Sequence, residues 1–134
     1  MRCVLDASAA LSFVLADEFT DVSARILEQL RREGAIVPTL WSFEVTNGLL
    51  TALRRNRLDD IGVAHALVAF DRLPLQTAAT AAPLGELIGL ARGLELSTYD
   101  AAYLWLALDQ GLPLATRDRR LAEAARDAGV ALVE

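Results

Sequence analysis

Four acidic residues stand where chemistry gives a better reason for them than solubility does: Asp6, Glu44, Asp100 and Asp118. Asp6 directly follows the apolar run Arg2–Leu5, and Glu44 lies in the first turns of a helical stretch after Pro38. Asp100 opens the apolar helix "STYDAAYLWLA", and Asp118 comes two residues after "PLAT". Each acid alone has an ordinary reading. Asp6 and Asp118 can cap the helices beside them, and Ser97 or Thr98 already can cap the helix of Asp100. Glu44 with Asn47, Thr51 and Arg55 makes a polar stripe at helical spacing, as a solvated face does. Brought together, the four carboxylates repel one another unless a divalent cation is present. Oxygen ligands with no neighbouring His or Cys favour Mg2+ or Mn2+ over zinc.

The remaining reactive residue types narrow the chemistry. There is no Lys, so Schiff-base, P-loop and receiver-lysine mechanisms are excluded. The single cysteine, Cys3, rules out an internal disulfide or a Cys-rich zinc site and reads as core. His65, the only histidine, sits in "GVAHALVAF" and reads as structural or surface; Trp41 and Trp105 fall at core spacing. The pairs Arg31/Arg32 and Arg54/Arg55 read as solvated helix ends. Arg117, Arg119 and Arg120 flank Asp118 and could touch a phosphate beside a metal. A net charge of −5 argues against adhesion to nucleic acid through a broad basic face.

For the acids to meet, the fold must carry them to one edge. A chain of 134 residues, 54% hydrophobic, predicts one domain over 1–134 with one core. Short apolar runs at 2–5, 35–37, 74–77, 113–116 and 131–133 predict strands. Helical periods predict helices over 7–16, 17–32, 39–57, 59–73, 83–93, 98–111 and 117–127. The alternation predicts an α/β three-layer sandwich, a parallel sheet of about five strands flanked by helices. Ligands of such sheets bind beyond the carboxyl ends of the strands, where all four acids fall. No stretch approaches the ~20 apolar residues of a membrane span, and "MRCVLD" runs straight into an acid, so no membrane and a cytoplasmic address are expected.

The segments "VLDASAAL", "SFEVTNGL", "STYDAAYLWLA" and "LATRDRRLAEAA" resemble, in order and over the full length, the successive motifs of PIN-domain endoribonucleases, most closely VapC toxins of toxin–antitoxin pairs. The resemblance implies that Asp6, Glu44, Asp100 and Asp118 form the acidic quartet, with Ser8, Asn47 and Thr116 as supporting residues. It implies a sheet of order 3-2-1-4-5, an RNA substrate, a homodimer and a cognate antitoxin. Mg2+ or Mn2+ on the quartet would then serve phosphodiester hydrolysis. Other α/β families fit worse. A receiver needs an acidic pair, an Asp after the third strand and a Lys; a haloacid-dehalogenase phosphatase needs an Asp where Ser8 stands; a dinucleotide fold needs a Gly-rich turn where "DASAA" stands. Two further readings stay open: a non-cleaving RNA- or protein-binding module, and a housekeeping RNA-processing nuclease of the same fold.

Overall fold

The computed structural model describes residues 1–134. The elements run β1 (Cys3–Leu5), α1 (Ala7–Ser12), α2 (Asp21–Glu33), β2 (Ala35–Val37), α3 (Leu40–Arg54), α4 (Asp60–Asp71), β3 (Leu75–Thr77), α5 (Leu84–Leu94), α6 (Thr98–Gln110), β4 (Leu114–Ala115) and α7 (Arg119–Asp127). The strands form one parallel sheet of order β3-β2-β1-β4.

Strand side chains alternate between the two faces, and the core divides accordingly. Cys3, Leu5, Ala35 and Val37 pack with Ile26 and Leu30 of α2, Val45 and Leu49 of α3, and Phe70 of α4. Val4, Ile36 and Leu114 pack with Tyr103, Leu104 and Leu106 of α6 and Leu121 and Ala124 of α7. Helices therefore cover both faces, giving the expected three layers. β1, β2 and β4 are buried on both faces and therefore apolar throughout, as inner strands of a parallel sheet are, whereas the edge strand β3 exposes Gln76 and Thr77.

The topology sets the place of the site. The chain builds outward from β1 to β2 to β3, then returns to lay β4 on the other side of β1. The order reverses between β1 and β4, so the crevice beyond their carboxyl ends is the switch point. Leu5 and Ala115 are paired at that end, and the residues that follow them, Asp6 and Thr116, emerge side by side.

Two expectations are corrected. The fifth strand reduces to one parallel bridge, Leu114 to Leu132, next to β4. With Gly129 at φ +78° the chain turns tightly out of α7 and meets the edge for a single residue. The predicted order 3-2-1-4 holds up to that point. The first helix stops at Ser12 instead of Ala16, and the second starts at Asp21 instead of Asp17. The reason is a capping box: Thr20 Oγ1 accepts from the Ser23 N–H, and Ser23 Oγ accepts from the Thr20 N–H. Asp17 and Glu18, just before it, are drawn to Arg57 at 2.9 and 2.6 Å.

Candidate active site

Asp6 is the N-cap of α1, its Oδ1 accepting from the Ala9 N–H at 2.9 Å. Capping does not exhaust it. The Ser8 hydroxyl donates to the same oxygen at 2.7 Å, and the Thr116 hydroxyl donates to Oδ2 at 2.6 Å. Each hydroxyl also accepts from the backbone of the β4–α7 loop, Ser8 from the Arg117 N–H at 2.9 Å and Thr116 from the Asp118 N–H at 3.0 Å. Two relays therefore tie the end of β1 to the start of α7 through one carboxylate. Asp6 is 4% exposed and has no cationic partner. Burial pushes its carboxyl up to about 6, against the pull of those hydrogen bonds, and the charge of Asp100 adds to the rise.

Asp118 is likewise a cap, accepting from the Leu121 N–H at 3.1 Å at the start of α7. Asp100 is not. Ser97 caps α6 and accepts the Asp100 N–H at 3.1 Å. The Asp100 carboxyl is held above the usual carboxylate range, first by burial and then by the charges of Asp118 and Glu44, with Arg120 opposing.

Glu44 leaves the polar stripe in which the sequence places it. It is half-buried, and its Oε1 accepts from the Tyr103 hydroxyl at 2.6 Å. Tyr103 is 1% exposed; burial, then Glu44 itself, raises its hydroxyl far above the ordinary value, so it remains a donor. Tyr103 is the site residue that sequence reading missed. Its signal is spacing: it lies one helical turn after Asp100, on the buried side of the same helix. Gly48 explains the close approach of α3, because a Cβ there would stand 2.4 Å from Leu11 Cδ1 of α1. Gly48 is one turn beyond Glu44 on the helix, so the contact that seats α3 also seats Glu44.

Asp6, Ser8, Thr116 and the Asp118 backbone are thus joined directly. Asp100 is coupled by charge to Asp6, Asp118 and Glu44. The carboxylates stand apart: no three acidic, His or Cys side chains close into a formed metal shell. Asp6 is engaged with hydroxyls and a helix N–H, Asp118 with a helix N–H through one oxygen, and Glu44 with Tyr103 through one oxygen. The donor set fits a hard divalent cation in kind, since every candidate is a carboxylate. His65 is exposed on α4, and Cys3 is buried within β1. Asn47 is exposed one turn after Glu44. Arg117 and Arg119 are exposed beside Asp118, whereas the Arg120 guanidinium donates to the Glu95 carbonyl at 2.8 Å.

Residues 3–127 match the PIN domain. The chain is 30% identical to Ribonuclease VapC3 of Pyrobaculum aerophilum over 125 residues, covering 92% of this chain and 94% of that protein. It is 34% identical to Ribonuclease VapC12 of Mycobacterium tuberculosis over 123 residues, covering 90% and 89%. Identity to Ribonuclease VapC9 of the same species is 37% over 120 residues, covering 90% and 88%. Among solved structures, PAE2754 from Pyrobaculum aerophilum superposes with a TM-score of 0.71 at 24% identity, covering 92% of this chain and 84% of that one, and so shares the fold. With the acids beyond β1 and β4 and these relatives along nearly its whole length, the chain belongs to the PIN-domain family, in its VapC branch.

Proposed function

We propose that this chain is a divalent-metal-dependent endoribonuclease, a single unit over 1–134 acting as the toxin of a type II toxin–antitoxin pair in the cytoplasm. The observation that carries the reading is Asp6: a buried carboxylate without a cation, at the switch point, coupled by charge to Asp100, which is in turn coupled to Asp118 and Glu44. Burying such a group is costly unless a cation compensates, so the site is built for charge it does not itself contain. VapC-named relatives support the ribonuclease and toxin assignments.

Asp6, Asp100 and Asp118 would hold Mg2+ or Mn2+, with Glu44 as a further ligand or as the group that orients the attacking water. When bound, the ion supplies positive charge to the phosphoryl oxygens and acidity to that water. The protein does the rest. Ser8 and Thr116 fix both Asp6 oxygens. Tyr103 holds one Glu44 oxygen and leaves the other free to accept a proton from water as it attacks the phosphorus. The P–O bond to the leaving nucleotide breaks opposite the attacking oxygen, so hydrolysis yields two RNA ends. A cognate antitoxin and a homodimer complete the reading. No helix is long and apolar enough to cross a membrane.

Incubating purified protein with total RNA, in Mn2+, Mg2+ or chelator, and mapping the new ends tests the proposal. Metal-dependent internal cuts that disappear in Asp6→Asn are expected; cuts that persist in chelator, or in folded Asp6→Asn, would overturn it.

A further inference from the structure

The groove between α2 and α7 opens onto the candidate site and is not used by the chemistry above. It holds about 410 Å³ and is lined by Thr116 and Asp118 of the candidate site together with Arg25, Arg117, Arg119 and Arg126. Arg25 comes from α2, Arg117 from the β4–α7 loop, and Arg119 and Arg126 from α7. Arg126 is neutralised by Glu134 at 3.1 Å, while the other three guanidiniums form no ion pair. In a chain of net charge −5 this local excess of Arg is out of keeping with the rest. An acidic protein gains nothing from long-range attraction to a polyanion, so any hold on one must come from a short, local row of cations.

We propose that this groove is a track for the RNA backbone on one side of the scissile phosphate, with Arg25, Arg117 and Arg119 contacting successive phosphates. The inference rests on the endoribonuclease reading and deepens it. Guanidinium groups suit the task because their paired N–H donors match two phosphate oxygens, and such contacts fix register without reading sequence. The backbone N–H of Arg117 donates to Ser8 Oγ, so the loop that carries this arginine is anchored by the same hydroxyl that orients Asp6.

The test is binding of a labelled single-stranded RNA of mixed sequence, in chelator so that it is not cut, across a range of salt. Arg25→Gln should flatten the log–log salt slope by about 0.7 and weaken binding about fivefold near 0.1 M salt, and Arg25→Gln with Arg119→Gln about 25-fold. Arg54→Gln, at the end of α3 outside the groove, controls for net charge and should bind like the wild type. If the wild type cuts RNA with Mn2+ yet the groove variants bind like Arg54→Gln, the track is overturned and the nuclease reading stands. If the wild type neither binds nor cuts RNA, both fall.

Discussion

Asp6 carries two duties, cap and buried acid, and they separate by pH. Its carboxyl titrates at about 6 in the fold against an ordinary 3.8. A group raised on folding contributes stability that is fully present below its unfolded value and lost as pH rises through the folded one. In chelator, the wild type should therefore lose on the order of 3 kcal/mol relative to Asp6→Asn across that interval. Urea midpoints at successive pH values measure it; a constant difference between the two proteins would contradict the burial argument. Tyr103 has a different signature. Removing its hydroxyl in Tyr103→Phe frees Glu44 to swing, so kcat should fall roughly tenfold with KM unchanged, a loss of about 1.4 kcal/mol in the transition state alone. A rise in KM at constant kcat would make Tyr103 a substrate contact instead. The acids stood out as candidates in the sequence because Asp6 and Asp118 follow strand ends, Asp100 opens a helix and Glu44 lies in the first turns of another. Tyr103 was not, because a buried tyrosine on an apolar helix looks like core until the partner of its hydroxyl is known.

Among the elements, α3 matters most because it carries Glu44 to the site, and Gly48 lets it do so. A glycine inside a helix costs about 1 kcal/mol against alanine, and here it admits Leu11. Gly48→Leu should cost about 1–3 kcal/mol by overpacking and displace Glu44 from Tyr103. Cleavage should then drop well beyond what the unfolded fraction explains, as thermal melts and rates at low temperature would reveal. Activity retained in step with stability would mean that the α1–α3 contact does not set the site. The strands and helices were readable from apolar periodicity, and β1, β2 and β3 fall within the predicted runs. What failed was local: nothing apolar distinguishes 13–20 from helix, and only the reciprocal bonds of Thr20 and Ser23 decide where α2 begins. The fifth strand failed for a related reason, since 131–133 has strand composition but only Leu132 reaches its neighbour.

At the scale of the whole molecule, one sheet covered by helices on both faces positions acids from the end of β1, α3, α6 and the loop after β4 at one edge. Net charge pointed away from nucleic acid, because it averages over a surface while function lies in a site and, as proposed, in one Arg-lined groove. If the four acids act as one charged unit for RNA hydrolysis, as proposed, Asp100 is the residue at which this shows most cleanly. Asp6 and Asp118 cap helices, so replacing them mixes fold with chemistry, whereas Ser97 caps α6. The Asp100 carboxyl is raised by burial and by two neighbouring acids, so Asp100→Asn relieves repulsion when no cation is present. The measurement is the Mn2+-dependent RNA cleavage rate of Asp100→Asn, on protein whose urea midpoint in chelator is also determined. A rate at least about 100-fold below wild type, in a protein equally or more stable, is the predicted result. A folded Asp100→Asn that cuts RNA at the wild-type rate would contradict the claim.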